Sequence, residues 1–395
     1  MLTPSSGIRS IACMPIGDSR ELTTAAAFRT LAAAGASGSR ATTAWAPGRC
    51  TLVGEHVDYA GGIVLCLAVD LGIAAAVRPS GSGRYLAASG DVVVTRDRAE
   101  PAGDAGDRVL APVVALRRRG FDVPALEVGI AATLPAGAGL ASSAALMVAT
   151  TTAILRMLGA TMSARDLAAV ALSAEQDVLD IPCGPLDQRA VVSAPDGGVL
   201  LLDCRTGGNR SLHWPWPDAI LVGCDTGSHH DVGGIEYRRR RDETERGLRA
   251  LGARNCQELS EAAIDASALD PVIKRRLRHV MGETARAAAA AQALEQADLA
   301  ALGRLMSASH RSLRDLHEVS TPALDAAVAA AEAVSGCAGA RLVGAGFGGT
   351  VAALVTTGAS RECRLAMAEA CGGGSTFELR PSPGVATLAP DVVRG

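Results

Sequence analysis

The sequence predicts a mixed α+β protein in which helices pack on sheets, arranged as one large domain or two medium domains. The chain has 395 residues, of which 48% are hydrophobic and only 3% aromatic, so Ala, Val and Leu supply much of the apolar content. A chain of this length and composition can bury a substantial core. Strand-like runs prevail up to residue 225, whereas the pattern from 236 to 333 is mostly helical.

Hydrophobic periodicity and breaker residues divide the chain into elements. In chain order they predict a helix (21–34), a strand and turn (42–53), a buried strand pair (63–77), a hairpin and loop (80–107), a strand (126–134), two helices (144–158 and 163–179), two strands (197–204 and 219–225), a helical region (236–333), and a glycine-rich loop followed by a strand (340–355). Ser163 is the expected N-cap of its helix. Pro, Asp and Gly cluster near residue 195, so we expect domains at 20–195 and 196–390.

Charge and cysteine content argue against several classes of protein. The net charge of −3 argues against a nucleic-acid-binding surface. No uncharged apolar run is long enough to span a membrane. Ten cysteines without a Cys-x-x-Cys pair favour a reducing, cytoplasmic location over a zinc site. Lys274 is the only lysine, so any phosphate site must use backbone amides, hydroxyls, a metal or Arg.

A glycine-rich loop at residues 134–145 separates a predicted strand from a predicted apolar helix. Gly137 and Gly139 allow tight turns and a close approach of the backbone to a ligand. Unpaired amides at a helix N-terminus favour phosphate, and the hydroxyls of Ser142 and Ser143 can bind phosphate or Mg²⁺. The segment predicts a phosphate site, although a structural loop with a serine cap is an equal alternative.

Three further segments combine polar residues with turns. Arg49, Glu55, His56 and Asp58 crowd into ten residues of an apolar stretch, which suits a ligand with many hydroxyl groups. In 175–188, one carboxylate can hold Mg²⁺ and another can accept a hydroxyl proton. Four glycines in 344–349 indicate a close approach of the backbone to another group. The non-functional alternative for the first of these segments is a surface turn with an ion pair. For 175–188 it is the ordinary polarity of a helix end.

Together, and in this order, the segments resemble the GHMP kinase superfamily and, within it, the galactokinase family. Residues 47–59 are similar to the galactokinase signature, 135–145 to the nucleotide loop of the superfamily, and 183–188 to its Cys-Gly-x-x-Asp-Gln motif. The stretches 236–239, 309–314 and 339–349 fit the same pattern. The resemblance extends from about residue 40 to residue 355.

The resemblance implies a two-domain GHMP kinase fold, with an N-terminal half like ribosomal protein S5 domain 2 and a ferredoxin-like C-terminal half. It implies that Mg²⁺ and ATP are used to phosphorylate the anomeric hydroxyl of galactose. It also implies residue roles: Asp187 and Arg49 as catalytic residues, Glu55, His56, Asp58, Gly184 and Tyr237 as sugar contacts, Gly137, Gly139, Leu140, Ser142 and Ser143 as the phosphate loop, and Ser143 and Glu175 as Mg²⁺ ligands.

The sequence departs from the family pattern at Thr51, where Asn is usual, and at Ala60, where a second Asn is usual. Both positions flank residues expected to bind the sugar. Related kinases of galacturonate, arabinose or N-acetylgalactosamine therefore remain alternatives, as does a sugar sensor without catalytic activity. Whether Asp187 acts as a full base or only orients the hydroxyl also stays open. The expected partners are a sugar and ATP, with no nucleic acid and no membrane, and the expected state is a monomer or weak homo-oligomer.

Overall fold

A computed structural model describes residues 16–35, 40–135, 137–227 and 235–385 of the chain. Its strands are β1 (Thr42–Val53), β2 (Ile63–Pro79), β3 (Tyr85–Ser89), β4 (Val92–Arg96), β5 (Leu126–Ala132), β6 (Gly198–Asp203), β7 (Asn209–His213), β8 (Ala219–Asp225), β9 (Cys337–Val343), β10 (Thr350–Thr356), β11 (Ser375–Leu379) and β12 (Pro381–Ser382). Its helices are α1 (Ile16–Ala33), α2 (Gly106–Arg118), α3 (Ser142–Met157), α4 (Ala164–Ser173), α5 (Leu186–Ser193), α6 (Ile235–Ala250), α7 (Glu261–Ala266), α8 (Pro271–Glu295), α9 (Leu299–Ser312), α10 (Pro322–Glu332) and α11 (Ser360–Ala370). The predicted mixed α+β class is confirmed.

The first sheet is built around β2, which pairs with β1, β5, β6 and β12. The prediction of a strand pair at 63–77 is wrong, because β2 is one strand of 17 residues. Asp70 and Leu71 suggest a turn, but they form an irregularity at which the register with β1 shifts. Gly72 is needed there, since a Cβ atom would lie 2.4 Å from the carbonyl oxygen of Ala46.

The second sheet has the strand order β11-β8-β10-β9 and packs against α9, α10 and α11. The glycines at 344–349 form the loop between β9 and β10, so the strand preceding that loop was missed by the sequence analysis. Three other unpredicted strands, β7, β11 and β12, have only two to five residues. Strands this short leave little alternation for a sequence pattern to show.

The helix predicted at 163–179 is interrupted. Its N-cap is confirmed, since the Ser163 side chain accepts a hydrogen bond from the Asp166 amide. The α-helical part ends at Ser173, and a π-helical turn covers Ala174–Val178. Such wider turns often occur at functional sites. Here the turn carries Glu175, which is buried.

The first sheet includes β6 and β7, which follow residue 196, and also β12. It therefore draws on both sides of the division expected after residue 195, and the domain boundary stays a prediction. Among the helices that the structure describes, none is both long and apolar enough for a membrane span.

Candidate active site

Three of the four predicted site segments meet around a cavity of about 210 Å³, which the loop at 134–145 does not line. It is lined by the loop between β1 and β2 (residues 54–62), the turn before α5, the first turns of α5 and α6, and the loop between β9 and β10. The lining includes seven of the predicted residues: Arg49, Glu55, His56, Asp58, Gly184, Asp187 and Tyr237. Residues that are almost 190 positions apart in the sequence thus line the same cavity.

Arg49 lines the cavity and also contacts the loop between β5 and α3 (residues 133–141). Its Nε and Nη2 donate to one oxygen of Asp187 at 2.9 and 2.5 Å, and its Nη1 donates to the Gly139 carbonyl at 2.8 Å. The Arg49 amide also donates to the Leu140 carbonyl, at 3.0 Å. Burial by itself would lower the pKa of Arg49, but Asp187 and Glu55 outweigh it and raise that pKa. Arg49 is therefore a fixed positive charge.

Glycines shape the β5–α3 loop. Gly137 and Gly139 have positive φ values of 73° and 70°, and a Cβ atom on Gly139 would lie 2.6 Å from the Val343 carbonyl oxygen. Gly344 meets the same loop, because its own Cβ atom would lie 2.8 Å from the Cα atom of Gly139. Gly344 and Gly349 of the β9–β10 loop therefore approach the predicted phosphate loop, whereas Gly346 packs against Val319.

The N-terminus of α3 follows this loop. Leu140 is buried, Ala141 holds a left-handed φ of 59° as N-cap, and the helix begins at Ser142. No side chain caps the helix, so its first amides stay available to an anion.

Glu175 and Ser143 face each other beside α5. The Ser143 hydroxyl oxygen is buried and has no hydrogen-bond partner within the described part of the chain, although it lies near enough to Glu175 to lower the pKa of that carboxyl. Burial and the charge of Asp187 outweigh this effect and raise the pKa of Glu175 to about 7. Gln188 donates to the Glu175 carboxylate. The Ser143 hydroxyl oxygen and the buried Glu175 carboxylate could both coordinate a divalent cation, so the two residues fit a Mg²⁺ site.

No group of three metal-ligating side chains occurs in the described ranges. Mg²⁺ commonly uses one or two protein ligands, with waters and substrate phosphates completing its shell. The pair formed by Ser143 and Glu175 matches that mode of binding.

Glu55 is held by a buried ionic network that the sequence analysis missed. Arg341 Nη2 donates to Glu55 at 2.9 Å, and Arg341 Nη1 lies 3.9 Å from Glu283. Glu283 accepts from the Gly54 amide at 2.8 Å. Burial raises the pKa of Glu55, with Arg341 and Arg49 acting against it. Arg341 lies within an apolar strand, and that placement is the signal that could have marked it.

His56 lines the cavity in a left-handed backbone conformation with a φ of 60°. Its Nε2 lies 2.9 Å from the Ala345 carbonyl, which can only accept, so this nitrogen carries the proton. Nδ1 is buried and has no partner among the described residues. Burial lowers the pKa of His56 to about 3. The ring is therefore neutral and offers one acceptor.

Asp58 and Gly184 separate the cavity from a larger and more open one of about 780 Å³. A Cβ atom at residue 184 would lie 1.7 Å from Asp58 Oδ2, so only glycine fits there. Burial, followed by the nearby charge of Asp187, raises the pKa of Asp58 to about 6. The larger cavity is lined by Ala60 and by three arginines, Arg205, Arg241 and Arg254.

Comparisons with known proteins agree with this geometry. The galactokinase galactose-binding signature matches residues 25–79, and the GHMP kinase N-terminal and C-terminal domains match residues 108–194 and 290–373. A galactokinase from Roseiflexus sp. is 36% identical over 337 residues, which cover 82% of this chain and 86% of that protein. One from Thermotoga neapolitana is 34% identical over 319 residues, covering 80% and 89%. The chain belongs to the galactokinase family.

A solved structure supports the same assignment. Lactococcus lactis galactokinase complexed with galactose has a TM-score of 0.86 and 25% identity, covering 93% of this chain and 99% of that one. The predicted GHMP kinase fold is therefore confirmed. The galactose-binding signature of the galactokinase family covers Arg49, Glu55, His56 and Asp58, and the N-terminal GHMP kinase match covers the phosphate loop and Asp187. Tyr237 lies outside all three matched ranges.

Buried neutral histidines should make this galactokinase family member sensitive to mild acid. Burial lowers the pKa of His279 to about 4 and that of His56 to about 3, and it also lowers the pKa of His317. Below the ordinary histidine pKa of about 6.5, these histidines bind protons in the unfolded chain but not in the folded chain. Each ring therefore contributes a loss of stability of up to about 1.4 kcal/mol per pH unit as pH drops from about 6.5 towards 4, and the raised pKa values of Glu175 and Asp58 oppose this loss.

Urea unfolding at pH 7, 6 and 5 measures this loss. Replacing His279 with Asn should reduce the slope of stability against pH, whereas replacing the exposed His213 with Gln should leave it unchanged. The same slope in the His279 variant as in the parent would contradict the prediction.

Proposed function

We propose that the chain transfers the γ-phosphoryl group of ATP to the anomeric hydroxyl of galactose. The observation that carries this proposal is the position of Arg49. One guanidinium contacts both Asp187 in the small cavity and Gly139 in the β5–α3 loop. A sugar in the cavity and a triphosphate on the loop would meet at this side chain.

Asp187 is placed to receive the reacting hydroxyl. Arg49 binds only its Oδ1, and the side chain keeps 32% of its surface exposed. The other oxygen can accept the hydroxyl proton as the anomeric oxygen bonds to the γ-phosphorus and the bond to ADP breaks. Arg49 offsets negative charge on both sides of the transfer. The arrangement suits both a full base and a group that only orients the hydroxyl.

The phosphate groups would lie on the amides of the β5–α3 loop and of the α3 N-terminus, which comprise Gly137, Gly139, Leu140, Ser142 and Ser143. Ser143 and Glu175 would hold Mg²⁺, which neutralises phosphate charge when bound. For the sugar, Glu55 and Asp58 supply carboxylate acceptors and His56 Nδ1 a neutral one, with Tyr237 and Gly184 completing the wall. A cytoplasmic location and a monomeric or weakly oligomeric state stay predictions.

A kinase of a larger, substituted sugar is the second candidate. The observation that favours it is the 780 Å³ cavity behind Asp58, which Ala60 borders. Thr51, the other departure from the family pattern, lines neither cavity and is fully buried. Only one of the two departures therefore borders space that a sugar substituent could occupy.

A coupled assay of ADP release tests the proposal with galactose, galacturonate, arabinose, N-acetylgalactosamine and glucose. We expect galactose to give the highest kcat/KM. A higher value for N-acetylgalactosamine or galacturonate would favour the second candidate. Tight binding of sugar and ATP without ADP release would instead identify a sensor and overturn the proposed activity.

Replacing Gly184 with Ala should impair use of the sugar. The new methyl group would collide with Asp58 Oδ2, so either the carboxylate or the turn before α5 must move. Displacements of about 1 Å can cost roughly 10²-fold in rate, and we expect kcat/KM for galactose to fall by at least tenfold. Steady-state kinetics measure the change. The control is Gly358→Ala, where a Cβ atom meets nothing within 4 Å. A parental KM in the Gly184 variant would argue against this site.

A further inference from the structure

Three buried imidazole rings form a column behind the small cavity. His56 lies at the cavity wall. The tilted ring of His317 packs against it with ring centroids 4.5 Å apart, and the ring of His279 follows at 4.4 Å. None of the three residues is more than 4% exposed. They come from the β1–β2 loop, the π-helical turn after α9, and α8. This histidine column therefore connects the cavity wall with the helical layer beneath it.

The column contacts the β1–β2 loop at three points. His279 Nε2 lies 3.1 Å from the carbonyl oxygen of Glu55, and the His317 ring packs on that of His56. His317 Nε2 lies 3.4 Å from the hydroxyl of Tyr59. The residues contacted include Glu55 and His56, and Asp58 lies between His56 and Tyr59. The column thus supports the segment that supplies most of the predicted sugar contacts.

His56 depends on such support. Its left-handed backbone conformation is unfavourable for a residue other than glycine and persists only when neighbouring groups hold it. Ala345 fixes the tautomer, which leaves Nδ1 as the acceptor. A single hydrogen bond at Nε2 does not prevent the ring from tilting about that bond. The neighbouring rings of His317 and Tyr237, with centroids 4.5 and 5.5 Å from that of His56, restrict this tilt, and His317 is the nearer of the two.

His317 is held in place by Arg240 and lies outside both cavities. Arg240 donates to its carbonyl from Nε at 2.7 Å and to the Glu318 carbonyl from Nη2 at 2.9 Å. His317 lines neither of the two cavities. Any effect of this side chain on the sugar must therefore pass through His56 or Tyr59.

We propose that His317 is a positioning residue that sets the affinity for the sugar by orienting the His56 ring. The inference rests on the proposed function, because it assumes that the cavity takes a sugar. The sugar contacts of His56 are made before and during phosphoryl transfer alike. Their loss removes uniform binding, which raises KM and leaves kcat in place.

The first test compares His317→Ala with His317→Phe. The alanine variant should raise the KM and Kd for galactose at least tenfold, with kcat and the KM for ATP within twofold of the parent. Phenylalanine restores a packed ring and should recover sugar affinity to within about threefold. Equal increases in the KM for sugar and for ATP would show a general structural defect and overturn the proposal. If the alanine variant does not fold, the comparison uses His317→Gln, which also lacks the ring.

The second test is a double-mutant cycle with His56→Ala. If His317 acts through His56, the His317→Ala change should raise the Kd for galactose less than threefold in the His56→Ala background. If the double variant raises the Kd for galactose by the product of the two single-variant factors, the proposal is contradicted. The matched control is His310→Ala, which removes another buried imidazole, one paired with Asp325 at 3.1 Å. It should lower Tm and leave sugar affinity within threefold of the parent.

The readouts separate this inference from the proposed function. If the parent protein binds galactose but releases no ADP, the proposed activity fails and the cycle is completed from Kd values measured by calorimetry. If the parent protein binds none of the tested sugars, both the proposed function and the role of His317 are overturned.

Discussion

Replacing Asp187 with Asn is expected to reduce kcat by about 10²–10⁴-fold, the usual contribution of a positioned proton acceptor. Asparagine keeps an oxygen that can accept from Arg49, so the guanidinium and the β5–α3 loop should stay in place. It cannot take a proton from the sugar hydroxyl. Kd values for galactose and ATP should therefore remain within a few-fold of the parent values. Single-turnover kinetics and calorimetry measure the two effects separately.

The control for this variant is Asp196→Asn, an exposed position just beyond α5, which should retain parental kinetics. A kcat within tenfold of the parent in Asp187→Asn would show that the carboxylate only orients the hydroxyl or has no role in the transfer. The first of these outcomes decides the question that both sequence and geometry leave open.

Replacing Arg341 with Met is expected to destabilise the protein by about 3–5 kcal/mol, because it removes one partner from a buried ionic network. The guanidinium is fully buried and lies between Glu55 and Glu283. Methionine fills part of the space but leaves the Glu55 carboxylate buried without its nearest positive partner. Urea unfolding measures the loss, and the Kd for galactose should rise as well, since Glu55 lines the cavity.

A second substitution separates charge from packing in this network. In the parent, Glu55→Gln should destabilise, because Arg341 loses its partner. In the Arg341→Met background the same change should stabilise, because it removes a buried carboxylate that has lost its hydrogen-bonded cation and whose remaining cation, Arg49, lies 4.0 Å away. The exposed pair of Arg84 and Asp97 provides the control, and Arg84→Met should change stability by less than about 1 kcal/mol. The same sign for Glu55→Gln in both backgrounds would contradict the electrostatic explanation.

The sequence predicted the mixed α+β class and the residues that meet at the cavity, because each lies in a compact motif with a recognisable local pattern. The contact of Arg49 with Asp187 spans 138 positions, and its geometry had to come from the structure. The sequence analysis did not predict the buried polar residues that lie beneath the site. His279 and Glu283 lie on α8, where a helical pattern predicts the helix but not which of its polar side chains are buried.

The errors in the predicted elements have local causes. Asp70, Leu71 and Gly72 carry the composition of a turn, yet the hydrogen-bonded neighbours on both sides of β2 keep the strand continuous. Glu175, in the π-helical turn at Ala174–Val178, makes tertiary contacts with Ser143 and Gln188, which no local pattern encodes.

Since Arg49 contacts both the loop expected to hold ATP and the carboxylate expected to hold the sugar, the two ligands would not bind independently. Whatever factor galactose imposes on the Kd of ATP, ATP must impose the same factor on the Kd of galactose, because the two binding orders close a thermodynamic cycle. A saturating sugar should therefore act as an effector of the nucleotide, and a saturating nucleotide as an effector of the sugar.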